Sequence, residues 1–342
     1  RRSDPRRQPT GGGLTMLTVS LNEIEQTTQQ ALLAHGASNQ VAAQVARAVR
    51  VAEGNGNRIC GLYYVESYCR QLRSGRVDGT ITPLVSHDRP GAVRVDGRFG
   101  FAQAAFAAGL PTAIKAAKQN GICGFSVEHT HTCTSLGYFT EQLAQQGFLA
   151  IGATNASARV APPGGSVPVL GTNPIAMAAP DGSGGVAFQF DFSTSAVALG
   201  KITMAAAAGE DIPLGWALDA QGKPTTDPQE ALAGSLVSAG HYKGYGIGLM
   251  VEVLASALTG SRLSTDVPPL KTPEGLPHNL GQFYIIIDPA GFHENFAQQL
   301  SALALSITDQ EGARLPGANR VAPADVSLED TVWATVQSLA KG

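Results

Sequence analysis

Short apolar and β-branched runs alternate with stretches of helical spacing along this chain, and that alternation points to an α/β fold. GAVRVDGRFG, from Gly91, reads as a strand and turn, and Gln103 to Asn120 as an alanine-rich helix. GICGFSVEHT and GFLAIGATN are short strands flanking a helix from Gly137 to Gln146. APPGGSVPVLGTNP is a Pro/Gly loop and GVAFQFDFS a strand. YKGYGIGLMVEVLASALTG is a long apolar helix, GQFYIIIDP a strong strand and FHENFAQQLSALALSI a helix. The chain ahead of these is helical. Ser20 followed three residues later by Glu23 is a capping box, and Gly36 suits a C-cap. Val41, Ala42, Val45, Ala48, Val49 and Ala52 recur at helical spacing, GNGN at Gly54 to Asn57 interrupts them, and a further helix runs around Tyr63 to Leu72. Periods of the solenoid kind, about 20–50 residues, are not found.

A chain of 342 residues can bury a large core as one or two domains. Hydrophobic residues at 43% and charged residues at 15% place it among globular proteins. A net charge of −3 offers no basic field to a phosphate backbone, which argues against nucleic acid as a partner. No apolar run approaches the ~18 residues of a membrane span. Cys60, Cys69, Cys123 and Cys133 show no paired short spacing and fit a reduced, cytoplasmic chain. Residues 1–15 carry four arginines and three consecutive glycines but no apolar signal segment, and read as a flexible leader with the fold starting near Met16.

The usual nucleotide and hydrolase signatures fail. GNGNRICG has the wrong spacing for a dinucleotide fingerprint and no strand before it, and P-loop, GxSxG and HExxH patterns are missing. Three polar turns stand out instead. LGTNP carries Thr172 and Asn173; DFSTS is expected to end a strand and open a helix with Ser193, Thr194 and Ser195 as caps; HYKGYG opens a helix with Lys243 in its first turn. A cation there opposes the helix dipole and calls for an anionic partner. Each turn alone also reads as an ordinary cap. SVEHTHTCTSLGYF sets His129, His131 and Cys133 on alternate positions, which on a strand share one face. They read as a proton-transfer wall, as zinc ligands lacking a fourth member, or as hydrogen-bonded structural groups.

VLGTNPIAMAAP, DFSTSAVALGKI, GWALDAQGKPTTDPQEAL, HYKGYGIGLMVEVLASALTG and RLPGANR, in this order and spacing, resemble the malate/L-lactate dehydrogenase family with a non-Rossmann fold, from about Leu21 onward. That group includes ureidoglycolate and sulfolactate dehydrogenases and Δ1-piperideine-2-carboxylate/Δ1-pyrroline-2-carboxylate reductases. The resemblance implies a helical domain over 16–90 plus 320–342 and an α/β domain over 91–319 with a mainly antiparallel sheet. It also implies NADH or NADPH as cofactor, a small-molecule substrate and a homodimer. Thr172, Asn173, Asp191, Phe192, Ser193, Lys243, Gly244 and Gly317 fall on its cofactor-binding positions.

The substrate side departs from the family. Its Ser-His-Gly signature and following arginine, the expected proton donor and carboxylate clamp, are matched here by Ile59, Cys60 and Tyr64, and a second family histidine by Thr132 with His131 just before it. Proton transfer then falls to His131 or His129, Cys60, Tyr64 or water; Arg58 could stabilise a Cys60 thiolate if it faces inward, and a buried, inert thiol is the alternative. Tyr64 cannot make the charge-assisted carboxylate contact of an arginine, worth about 1–3 kcal/mol. The expectation is an NAD(P)H-dependent reductase of a cyclic imine or an atypical C=O, no metal being required. The alternative is a family member that catalyses a non-redox cyclisation, condensation or isomerisation with nucleotide bound; a purely structural or binding role ranks third.

Overall fold

The computed structural model describes residues 15–317 and 322–342, so the leader expected over residues 1–15 lies outside the described residues except for Thr15. β1 (Met16–Ser20) leads directly into α1 (Leu21–Ala34). The Ser20 hydroxyl accepts the Glu23 amide at 3.1 Å, the expected cap, worth about 1 kcal/mol. α2 (Asn39–Gly54), capped by Ser38, buries Val41, Ala42, Val45 and Val49 at helical spacing. Two 3-10 turns, Arg58–Cys60 and Leu62–Tyr64, then precede α3 (Val65–Ser74). The buried Glu53 carboxylate on α2 accepts the Leu62 amide at 2.7 Å, and a Cβ on Gly61 would overlap that carboxylate. The pair of tight turns that carries Cys60 and Tyr64 is therefore tied to α2.

β2 (Leu84–Arg89) and β3 (Ala92–Asp96) form a hairpin, followed by α4 (Ala102–Asn120), β4 (Ile122–Thr130), α5 (Gly137–Ala144) and β5 (Leu149–Thr154). β6 (Ile175–Pro180), β7 (Val186–Phe192) and α6 (Leu199–Ala208) come next. A small sheet of β8 (Ala217–Leu218), β9 (Pro224–Thr225) and β10 (Ser235–Leu236) encloses α7 (Pro228–Ala233). α8 (Tyr242–Glu252) runs on into one π-helical turn, Val253–Ala257, before β11 (Leu280–Ile287) and α9 (Phe296–Thr308). β12 (Asp325–Glu329) and α10 (Asp330–Leu339) end the chain, β12 pairing with β1.

The main sheet has the order β2-β3-β4-β11-β5-β6-β7. β3 and β4 are parallel and the other neighbours antiparallel, so the sheet is mainly antiparallel, as expected. Phe106 of α4 meets Phe139 of α5 and Tyr284 of β11 at centroid distances of 4.9 and 5.2 Å, sealing two helices to the sheet centre. A second core joins α1, α2 and α3 to Leu328, Trp333 and Val336 from the end of the chain. We propose that these two cores mark two domains. Because β2 is hydrogen-bonded into the main sheet, we propose to count it with the second domain, which would set the division ahead of Leu84 where the sequence suggests residue 90.

Among the described residues no helix is long and apolar enough to cross a membrane, and the four cysteines are free. The π-turn lies against β11 at Gly281, where the register with β4 shifts. A Cβ on Gly281 would run into the Ala255 carbonyl oxygen, which is backbone and cannot swing aside. Gly281→Ala is expected to cost about 1–3 kcal/mol, read as a lowered midpoint of thermal unfolding. An unchanged midpoint would show that the π-turn slides freely on the sheet.

Candidate functional site

The three polar turns singled out in the sequence meet in space. The Thr194 amide donates to the Thr172 carbonyl at 2.9 Å, and the Ala239 amide donates to the Thr194 carbonyl at 2.9 Å. Asn173, with φ of 35°, is fully buried; its amide nitrogen donates to Gly248 O at 3.0 Å and to Glu252 Oε2 at 2.7 Å, so its side chain holds the turn onto α8. Ser264 completes this knot by donating from its amide to Glu252 Oε1 at 2.6 Å. One expectation is overturned here. DFSTS does not open a helix: after β7 the chain forms an isolated bridge, Ser195 to Ser238, and α6 starts only at Leu199. The Ser195 hydroxyl donates to Val197 O at 2.7 Å and can accept from the Ser193 hydroxyl at 3.0 Å, so these hydroxyls shape a turn and cap no helix.

Lys243 does lie in the first turn of α8, exposed and without a carboxylate partner among the described residues. A cation at that helix end opposes the helix dipole. Gly244 beneath it is buried, with the Ala239 carbonyl where a Cβ would stand. Further along β7, the Asp191 carboxylate accepts the Gly137 amide at 2.7 Å and the Ser135 hydroxyl at 3.4 Å, while Phe192 is half exposed and stacks on Phe190 at 4.9 Å. Gly317, with φ of 65°, sits against Gln189 of the same strand, where a Cβ would lie 2.6 Å from Gln189 Cγ. Asp191, Phe190 and Ser135 line a cavity of about 320 Å³ together with Asn57, Gly137 and Tyr138, large enough for a small organic molecule.

Asp191 also reaches the substitutions in the first turns. Burial, and then the Asp191 charge, push the Cys60 thiol up to about 12, opposed by a hydrogen bond from Asn57 and by the charge of Lys271. Burial likewise pushes the Tyr64 phenol up to about 12. Both are then neutral acids at ordinary pH, which weighs against a stabilised Cys60 thiolate. Arg58 does not turn inward to help: its guanidinium donates to Ser327 O at 3.0 Å. Lys271 was not visible as a functional residue in the sequence. Its Nζ stands 4.7 Å from the ring centroids of both Tyr63 and Tyr64, in an aperiodic Pro/Gly loop that gives no local signal.

The alternate residues of the SVEHTHTCTSLGYF stretch part company. β4 ends at Thr130, with His129 at φ of 50°, so the shared strand face does not form. His129 is half exposed and its Nδ1 lies 3.0 Å from Asp96 Oδ1. His131 is buried, its Nε2 2.7 Å from Gln71 Oε1. Gln71 uses its amide nitrogen to donate to Leu270 O and Thr272 O, each at 2.8 Å, so its oxygen is the acceptor and the His131 proton sits on Nε2. Burial holds the His131 pKa well below the usual histidine range, helped by His278 and Arg76, so the ring is neutral. It stacks on His278 at 3.9 Å; His278, down to about 3 through burial, accepts the Thr132 amide at 3.2 Å. Cys133 is fully buried and its thiol pushed up by burial. Among the described residues no group of three His, Cys, Asp or Glu is placed to hold a metal ion. The geometry also weighs against His131 as the acid, because its one proton is committed to Gln71.

The pattern of the malate/L-lactate dehydrogenase family matches residues 19–335. A (2R)-3-sulfolactate dehydrogenase (NADP(+)) of Chromohalobacter salexigens is 40% identical over 302 residues, 88% of this chain and 90% of that protein. A Δ1-pyrroline-2-carboxylate/Δ1-piperideine-2-carboxylate reductase of Pseudomonas putida is 36% identical over 332 residues, 95% and 96% of the two chains. The crystal structure of Δ1-piperideine-2-carboxylate reductase from Pseudomonas syringae pv. tomato superposes with a TM-score of 0.88 at 32% identity, covering 94% of this chain and 99% of that one. With the sheet order, the converging turns and these matches in hand, the chain belongs to the malate/L-lactate dehydrogenase family of oxidoreductases.

Proposed function

We propose that this protein is an NAD(P)H-dependent reductase of a cyclic imine, with C=O substrates reduced less well. The observation that carries the reading is the chemistry around Cys60. The acids there, Cys60 and Tyr64, are both held to about 12. A ketone needs a proton on oxygen as hydride arrives, and such weak acids assist that poorly near neutrality. A protonated imine already carries its charge and needs no donor at that step. The names of the pyrroline- and piperideine-2-carboxylate reductases among its relatives support the same choice.

The residues present fit the dinucleotide that the family implies. Lys243 lacks a carboxylate partner among the described residues, Gly244 lets the start of α8 pack against the Ala239 carbonyl, and the three knotted turns hold that backbone in place. Thr172, Asp191, Phe192, Ser193 and Gly317 belong to the same proposed binding surface, and the buried Asn173 supports it by holding its turn onto α8. A nicotinamide dinucleotide, when bound, supplies the hydride; the NADP(+) in the name of the sulfolactate dehydrogenase favours NADPH. His131 and Thr132 act from behind, by fixing Gln71 and His278, and the His129 ring faces Asp96. A homodimer is part of this reading. Tyr242, Ile247, Leu249, Met250, Val253 and Leu258 leave an apolar surface exposed along α8 and its π-turn. A cytoplasmic location suits the four free cysteines.

Steady-state oxidation of NADPH and NADH with Δ1-pyrroline-2-carboxylate, Δ1-piperideine-2-carboxylate, pyruvate and 3-sulfopyruvate tests the choice of substrate. The imines should exceed the 2-oxo acids at least tenfold in kcat/KM; a reversed order would sink the reading. Light scattering should give twice the 35.3 kDa chain mass, and a monomer would refute the dimer. The thiol makes a separate prediction. Raising Cys60 from 9.0 to about 12 leaves about a thousandfold less thiolate near pH 8, offset roughly twentyfold by higher nucleophilicity. Alkylation by iodoacetamide, followed by mass spectrometry, should label Cys60 about fiftyfold more slowly than free cysteine.

A further inference from the structure

The loop between the π-turn and β11 is fastened to α3 from below. Arg76, just past α3 and 2% exposed, donates from Nε to Leu276 O at 3.0 Å, from Nη2 to Pro269 O at 3.0 Å, and from Nη1 to Thr272 O. Gln71 adds its two bonds to Leu270 O and Thr272 O, and the Ser74 hydroxyl donates to Pro273 O at 2.6 Å. Five consecutive loop positions, 269 to 273, are thus anchored at every residue except one. The exception, Lys271, points its ammonium over Tyr63 and Tyr64. Two aromatic faces orient the ammonium but accept none of its three N–H donors as a carboxylate would. Among the described residues it pairs with no carboxylate. Its charge also acts on the Cys60 thiol, with the opposite sign to that of Asp191.

We propose that Lys271 is the specificity-determining cation of the site, and that it receives the substrate's carboxylate while the ring carbon to be reduced lies beside Cys60. This rests on the reductase reading, with a cyclic imine bearing a carboxylate on the C=N carbon as in the names of its relatives, and adds the residue that would hold that carboxylate. An anion at Lys271 meets an ammonium that two aromatic faces already orient, on a loop whose neighbouring residues are anchored, which lowers the entropy cost of ordering it. A neutral imine of the same shape gains nothing from this contact. A 2-oxo acid gains the contact but still lacks a strong proton donor.

The test compares Δ1-pyrroline-2-carboxylate with Δ1-pyrroline, which has no carboxylate, on the wild-type protein and on Lys271→Met and Lys271→Arg. Lys271→Met should raise KM for the carboxylate substrate at least tenfold, leave its kcat within threefold, and leave Δ1-pyrroline unchanged; Lys271→Arg should restore most of the loss. An equal loss on both substrates, or a fall in kcat alone, would overturn the proposal and make Lys271 a proton donor or a packing group. Circular dichroism and thermal unfolding confirm that each variant is folded. Should the wild-type protein reduce no imine at all, the reductase reading fails, and calorimetry separates that from the fate of Lys271. Cyclopent-1-ene-1-carboxylate, an unreactive analogue, should bind the wild-type protein at least tenfold more tightly than its carboxamide, and Lys271→Met should lose the preference. Equal binding of acid and amide to the wild-type protein would overturn the proposal by itself.

Discussion

A buried guanidinium is costly unless its N–H groups find acceptors, and Arg76 finds them in the carbonyls of one loop. Carbonyls cannot neutralise the charge, and burial lowers the pKa of Arg76, helped by Arg262. What the arrangement gains is position. The same loop must enter the main sheet as β11, between β4 and β5, far from both in sequence. Arg76 and Gln71 fix its approach, and with it the stacking of His278 on His131 and the reach of Lys271. Leaving any of these donors unpaired would cost about 1–3 kcal/mol, so the loop and α3 behave as one body.

Much of the fold was legible because it is encoded locally. Ser20, Ser38 and the apolar period of α2 define their helices within a few residues, and the strands β4, β7 and β11 stand out as short apolar runs between breaks. The polar turns were also legible, since glycine and small polar residues mark tight backbone wherever they cluster. Their errors share one cause. DFSTS looked like a helix start because Ser and Thr cap helices, but the bridge from Ser195 to Ser238 holds that backbone extended. His129, His131 and Cys133 looked coplanar because a strand has period two. The left-handed backbone at His129 and the register shift opposite Gly281 end the strand one residue later. Both outcomes depend on partners more than forty residues away, which no window of sequence contains.

The site residues divide in the same way. Cys60 and Tyr64 were found because a motif position held an unexpected residue. Lys271 had no such signal: a lone lysine between leucine and threonine in a proline-rich loop is ordinary in composition. Its meaning comes from Tyr63 and Tyr64, brought beneath it by the Glu53 tie on the preceding turns and by Arg76 on the loop. The motif residue at 64 and the lysine at 271 become one feature only in three dimensions.

The electrostatics of the site then select among chemistries. Asp191 and Lys271 act on Cys60 with opposite signs, yet burial outweighs both and the thiol stays protonated. A pocket so arranged stabilises separated charges better than it moves protons. A protonated cyclic imine with an attached carboxylate is a molecule of separated charges, and hydride transfer removes its positive centre without requiring a proton at the same moment. A site that has lost its imidazole acid can therefore keep a reductase activity, provided its substrate brings the proton and the chain supplies the counter-charge.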